Sequence, residues 1–267
     1  CELEMAYKMF KLGGVGCIHR FNSIEEQSNI VKELYHRIFS PDLPLLEWTE
    51  VGCGIPPIMA SIGVSESDKE RATQLVKEGC NVLLIDVAHG HHKNVKKMIK
   101  WCKDNLDNKV DIIAGNIATK EAAQELESWG ADGLRVGIGG GSLCTTRLKT
   151  GFGIPNVSCL EDVISVAKTP VMADGGIRSS GDMSKALALG ASQVMLGSLI
   201  AGTDEAPGQI IETTKGLYKR YRGSASLETK VTHGQQTRNV EGESTTIPYK
   251  GGVKFIVNGL IDGVKSA

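Results

Sequence analysis

The chain has 267 residues, 41% hydrophobic and 23% charged, with a formal net charge of −1 at pH 7. That size suits one large α/β core or two small ones. The balanced charge offers no basic field for nucleic acid, and no apolar run is long enough to cross a bilayer. The seven cysteines (Cys1, Cys17, Cys53, Cys80, Cys102, Cys144 and Cys159) are odd in number, scattered and without a CxxC pair. This argues against a disulfide framework and against a zinc site, and it makes a reducing cytoplasm the expected setting. No signal peptide is visible, and Cys1 is an unusual first residue, so the expectation is a chain whose true start lies upstream.

In chain order, a glycine cluster at 13–16 without a phosphate-loop pattern leads into a short apolar strand at 15–19. The stretch 39–54, with Pro41, Pro44, Glu47 and Trp48, reads as an irregular connection. Strands at 58–62, 82–87, 111–114, 133–136, 171–173 and 193–196 follow. Between several of them lie helical periodicities at 67–78, 92–104, 120–129, 159–168 and 181–189. Such alternation implies parallel βαβ units, and a strand apolar throughout, such as VLLI at 82–85, fits a sheet covered on both faces. The polar stretch 222–252 reads as a mobile flap, and 253–264 as a closing helix.

Polar or glycine residues end most of these strands: Asp86, Asn116, Gly137, Asp174 and Gly197. A doubly wound sheet would concentrate them at one switch point. Their spread favours a (β/α)8 TIM barrel, whose active site lies along the C-terminal rim of the strands. Seven strands are readable, so the first strand of such a barrel is expected to be missing from this chain. One barrel domain is expected over 1–267, with its flap at about 222–252.

The loop GIGGGSLCTTR at 137–147 carries the strongest chemical signal. It follows a strand, and its glycines permit close approach to a ligand. It presents Cys144, beside Thr145, Thr146 and Arg147, as a nucleophile; the other six cysteines lack such a context and read as small core residues. Gly175-Gly176 and Gly197-Ser198 end the last two strands, where barrels commonly bind phosphate, and Ser142 and Ser198 could donate to it. Asp174 would repel phosphate and suits ribose hydroxyls. Asp86 and Asn116 could meet a second ligand. His89, His91 and His92 lack a carboxylate at metal-ligand spacing and read as solvent-facing or helix-start residues. Lys96, Lys97, Lys100 and Lys103 read as a solvated helix face.

Taken together, these motifs resemble the IMP dehydrogenase/GMP reductase family: GIGGGSLCTTR at 137–147, ADGGIR at 173–178, VMLGS at 194–198, AGTDEAPG at 201–208 and YRG at 221–223. Residues 14–20, 85–91 and 114–116 fit as well. Gly140 departs from the family's usual proline, which should leave the loop a little less rigid. The resemblance implies a (β/α)8 barrel acting on a purine mononucleotide, GMP or IMP, with a nicotinamide cofactor, NADP or NAD. It implies that Cys144 attacks C2 of the purine with Thr146 beside it. Ser142, Gly175, Gly176, Gly197, Ser198 and Tyr221 would hold the phosphate side, with Gly223 and Ser224 nearby, Asp174 the ribose and Glu241 the base edge. Asp86, Asn116 and Arg135 would line the cofactor side. Carbonyls of Gly139, Gly141 and Cys144 would bind K+. A homotetramer is implied, and so is a position for Cys1 within the family's first helix.

The same resemblance separates two reactions. Dehydrogenases use a flap Arg-Tyr pair to activate water and usually carry a regulatory CBS-type domain after the second strand. Here QTRN at 236–239 has no tyrosine, and 39–54 is too short for such a domain. Segments 150–153, 223–226 and 238–242 resemble one bacterial branch of reductases. Against this, Leu227 stands where reductases place a catalytic glutamate, with Glu228 one residue later, and 201–208 is dehydrogenase-like. The expectation is GMP reductase with Glu228 assisting departure of ammonia; the alternative is IMP dehydrogenase. A non-catalytic nucleotide-binding relative is the third reading, and retention of Cys144, Thr145 and Thr146 argues against it.

Overall fold

A computed structural model describes residues 1–40, 55–222 and 244–267. Seven strands lie side by side in chain order: β1 (Cys17–Ile18), β2 (Met59–Ile62), β3 (Val82–Asp86), β4 (Asp111–Ile117), β5 (Gly133–Val136), β6 (Val171–Asp174) and β7 (Gln193–Met195). Every neighbouring pair is parallel. Helices alternate with them: α1 (Leu3–Lys11), α2 (Ile24–Ile38), α3 (Glu66–Lys77), α4 (Lys93–Asn105), α5 (Lys120–Trp129), α6 (Thr146–Thr150), α7 (Asn156–Ile164) and α8 (Ser180–Ala188). The curled sheet, with β1 and β7 at its edges, is a partial (β/α)8 barrel, as the strand pattern anticipates.

The period of two within each strand sorts side chains between two cores. On β3, Leu83 and Ile85 face outward into the main cluster. There they meet helix residues such as Val95, Met98, Ile99 and Cys102 of α4, which follow helical spacing. Val82 and Leu84 face inward and pack with Met59, Ile113 and Met172. Both faces are buried, so the strand is apolar throughout. Cys80, Cys102 and Cys159 join the outer cluster, while Cys17 packs against the inner one; Cys53 lies outside the described residues.

Several boundaries differ from the expected ones. The helix expected at 159–168 starts earlier and ends sooner, at Asn156–Ile164. Pro155, with φ −56°, opens it, because proline is pre-set for a helix start. Helix α1 begins at Leu3, so Cys1 precedes it and does not lie inside the first helix as the resemblance implies; α2 lies where no helix was expected, although the Ser23/Glu26 capping box that opens it is readable in sequence. The stretch 222–252 is not all irregular. Strand β8 (Ile210–Thr213), β9 (Gly216–Arg222) and β10 (Ser244–Pro248) form an antiparallel sheet in the order β10-β9-β8, leading into α9 (Val253–Lys265). The rest of the expected flap, 223–243, lies outside the described residues, as does most of the 39–54 connection.

A buried carboxylate caps the turn after β2. Asp68 accepts the amides of Gly63 and Ser65, each at 2.9 Å, and the Ser65 hydroxyl at 2.5 Å. Burial works against its charge, but those hydrogen bonds outweigh it and hold the carboxyl below its ordinary value. A depressed pKa contributes stability at neutral pH that is lost as pH falls through the folded-state value. Asp68→Asn is therefore expected to cost about 1–2 kcal/mol at pH 7 in urea unfolding. The gap from the parent protein should shrink on acidification below the ordinary carboxylate range.

Candidate active site

The C-terminal ends of the barrel strands open into one cavity of about 550 Å³. The loop after β5 forms one wall. Gly137 has φ +135°, and a Cβ there would collide with the carbonyl oxygen of Asp174, so only glycine lets this loop lie against the end of β6. Gly175, with φ +82°, faces it: a Cβ would sit 3.0 Å from Gly140 C and Gly141 N. The two loops thus meet backbone to backbone. Asn156, at the start of α7, staples them, its Nδ2 donating to the carbonyls of Asp174 and Gly175. Its carboxamide fills the space that a side chain at Gly140 would need, with Oδ1 2.5 Å from an ideal Cβ.

Cys144 lines this cavity. Its thiol donates to Thr146 Oγ1 at 3.2 Å, and its amide donates to the Gly141 carbonyl at 3.1 Å. Cys144 is half-buried. Burial pushes the thiols of Cys17, Cys80 and Cys102 up to about 12 and that of Cys159 up to about 11. Those four stay protonated at neutral pH and are poor nucleophiles.

Across the cavity lies a charged layer. Arg135 on β5 bridges Asp86 at the end of β3 (Nη1–Oδ1 2.5 Å) and Asp174 at the end of β6 (Nη2–Oδ2 3.0 Å). Burial is the largest influence on Arg135 and disfavours its charge, but the Asp174 and Asp86 carboxylates outweigh it and hold its pKa above the ordinary value. Asn116 Nδ2 donates to both Asp174 Oδ2 and the Gly137 carbonyl, each at 2.7 Å. Arg20 Nε donates to the carbonyl of Asp86 at 3.2 Å. The Arg135 guanidinium thus fixes two carboxylates whose strands are not adjacent, and Asn116 ties one of them to the cysteine loop.

Of the residues expected in the site, Cys144, Thr146, Ser142, Gly139, Gly141, Asp174, Gly175, Gly176, Gly197, Ser198, Tyr221, Asp86, Asn116 and Arg135 all line this cavity. Glu228, Gly223, Ser224 and Glu241, with Leu227 and Arg238, lie outside the described residues. Arg20, Phe21 and Met195 also line the cavity and were not anticipated. Arg20 and Phe21 follow β1 and Met195 ends β7, so their strand-end positions were the available signal. Asn156 was missed because nothing local marks it: its partners are 18 and 19 residues away. The histidines sit apart, as expected. His92 caps α4, accepting from the Asn94 amide at 3.1 Å, and His91 lies 3.0 Å from Glu125 on the outer surface. Among the described residues, no group of three or more His, Cys, Asp or Glu could hold a metal ion. No described helix is long and apolar enough to cross a membrane.

Comparison with known proteins meets this geometry at the level of family. The model of the IMP dehydrogenase / GMP reductase domain matches residues 1–267. A GMP reductase of Leishmania major is 45% identical over 221 residues, 78% of this chain and 45% of the relative. An inosine-5'-monophosphate dehydrogenase of Helicobacter pylori is 42% identical over 251 residues, 89% of this chain and 50% of the relative. That of Cryptosporidium parvum is 37% identical over 307 residues, covering 99% of this chain and 75% of the relative. The chain thus spans about half the length of the first two. With a partial barrel whose cysteine loop and glycine loops meet at one rim, and a family model matched from end to end, the chain belongs to the IMP dehydrogenase / GMP reductase family.

Proposed function

We propose that this chain is the catalytic barrel of a purine nucleotide oxidoreductase, a GMP reductase that converts GMP to IMP and ammonia at the expense of NADPH. One observation carries the purine nucleotide part of this reading; the preference for reduction rests on the absence of a tyrosine from QTRN at 236–239 and on the shortness of 39–54. The Cys144 thiol shares a single cavity with two glycine turns, Gly175-Gly176 and Gly197-Ser198, a kind of turn that can receive an anion on its backbone amides. A nucleotide phosphate held at those turns extends its base toward Cys144.

In this mechanism Cys144 Sγ forms a bond to purine C2, and the 2-amino group leaves as ammonia with a proton supplied by Glu228. The product is a covalent thioimidate on Cys144. A reduced nicotinamide held beside Asp86, Asn116 and Arg135 would supply the hydride for C2; Cys144 Sγ is then released as the C–S bond breaks, and IMP departs. Thr146, whose Oγ1 accepts from the thiol, orients Sγ for attack. Asp174, fixed by Arg135 and Asn116, accepts from ribose hydroxyls. Asp86, Asn116 and Arg135 line the side where the cofactor would lie, beside Ala88 and Phe21. K+ belongs to the proposal as well: its donors would be the neutral carbonyls of Gly139, Gly141 and Cys144. At Gly139 a Cβ would crowd Arg147 Cγ at 2.7 Å, so the turn depends on glycine there. A homotetramer completes the proposal.

A second reading, oxidation of IMP to XMP with NAD, is favoured by Leu227 in place of a catalytic glutamate and by the Helicobacter and Cryptosporidium relatives. There hydride leaves C2 instead of ammonia, and water then releases the product from Cys144. Absorbance of the reduced cofactor separates the two. It should fall when protein meets GMP plus NADPH; a rise with IMP plus NAD, and no change in the first mixture, selects the dehydrogenase. Cys144→Ala is expected to lower turnover roughly 10³-fold or more and to abolish the covalent adduct that a 6-halogenated purine nucleotide leaves, read by intact mass. Glu228→Gln should suppress release of ammonia from GMP while leaving that adduct intact; unimpaired deamination removes Glu228 from the mechanism.

A further inference from the structure

The 201–208 segment, AGTDEAPG, takes no part in the chemistry above, yet its backbone converges on one side chain. Lys219 on β9 is only 3% exposed. Its Nζ donates to the carbonyls of Ala206 at 2.6 Å, Thr203 at 2.9 Å and Asp204 at 3.4 Å. Among the described residues no carboxylate pairs with it. A buried ammonium needs compensation for lost hydration, and here three N–H donors meet three carbonyls. That is how a carbonyl cage receives a monovalent cation, except that this cation is tethered to the chain.

The cage joins two stretches of chain that reach the cavity wall, at Tyr221 and at Gly197-Ser198. Tyr221 is two residues further along β9, on the same face of the strand as Lys219, and it lines the cavity with its hydroxyl 3.3 Å from an ideal Cβ at Gly197. In the other direction, the caged carbonyls follow Gly197-Ser198 in the chain by only a few residues. A second lysine repeats the device: Lys250 Nζ donates to the carbonyls of Ser198 and Leu199, each at 2.8 Å. Backbone bonds from Lys250 to Gly202 and from Asp204 to Gly251, with Tyr249 Oη on Asp204 Oδ1 at 2.6 Å, close the same junction.

We infer that Lys219 is a positioning residue whose ammonium acts as a built-in cation in the 203–206 carbonyl cage, and so fixes Tyr221 against the Gly197-Ser198 turn. Removing the ammonium takes a donor from all three inward carbonyls, of which that of Thr203 keeps the Ala206 amide at 3.2 Å, and the antiparallel sheet that carries Tyr221 loses its register with the turn. The consequence for ligand binding rests on the proposed nucleotide reading, because it concerns the phosphate end of the ligand and not the base.

Lys219→Ala in the full-length protein tests this. The variant should raise KM for the mononucleotide about tenfold or more while kcat changes less than about threefold. Affinity for the matching nucleoside, which lacks phosphate, should stay unchanged. Propylammonium, which replaces the deleted stem and charge, should restore mononucleotide affinity; tetramethylammonium, without an N–H, should not. Lys219→Met, which fills the channel with an uncharged stem, should show the same phosphate-specific loss with no propylammonium rescue, and it serves if the alanine variant is too unstable to assay. Amide hydrogen exchange without any nucleotide gives a second readout: protection at 197–206 and 217–221 should fall together in Lys219→Ala and return with propylammonium. An unchanged KM, an equal loss for nucleoside and nucleotide, or unaltered exchange in these segments overturns the cage. A parent protein that binds no purine mononucleotide overturns the nucleotide reading instead, and the exchange measurement still decides the cage.

Discussion

Close contact between two bare backbones organises the rim of the candidate site. The loop after β5 and the loop after β6 meet at Gly137, Gly140 and Gly175, where a Cβ would strike a carbonyl, a carboxamide or another main chain. Such contact is open only to glycine, and it carries no side-chain packing of its own. The structure compensates with polar staples: Asn156 donates across the junction to two carbonyls, and Asn116 joins the Gly137 carbonyl to the Asp174 carboxylate. Cys144 therefore sits on a loop whose shape is set by its neighbour.

The barrel interior changes character along its axis. Its lower layer is apolar, built from Met59, Val82, Leu84, Ile113 and Met172. The layer nearer the mouth is ionic, with Arg135 between Asp86 and Asp174. A guanidinium suits this place because its planar fork can reach two carboxylates at once and stays charged when buried. The same gradient separates the cysteines. Those in the apolar layers are held as thiols by burial, whereas Cys144 lies at the wall of the cavity, where substrate would be offered.

On the far side of the mouth, lysines do what glycines and asparagines do on the near side. Lys219 and Lys250 gather the carbonyls of 198–206 and bind the antiparallel sheet to the turn at Gly197. Carbonyls in irregular segments need donors when buried, and a lysine can satisfy two or three at once. The 201–208 segment can thus be irregular and still be firmly placed.

Much of this was legible in the amino-acid sequence for local reasons. Alternation of apolar runs with amphipathic helical stretches requires parallel strands covered on both faces, and polar strand ends mark the rim; both follow from periodicity within a few residues. The glycine loop ending in Cys144 is local as well. The sequence alone also carried the family through the combination of its motifs, but not the choice between reductase and dehydrogenase, because both need the same loop. What the tertiary structure decided were pairings across long separations: Arg135 with Asp86 at 49 residues, Asn116 with Asp174 at 58, Lys250 with Ser198 at 52. No periodicity encodes these contacts. They exist because the barrel brings the ends of distant strands to one rim, where a charge or an amide must find its partner once water has been excluded.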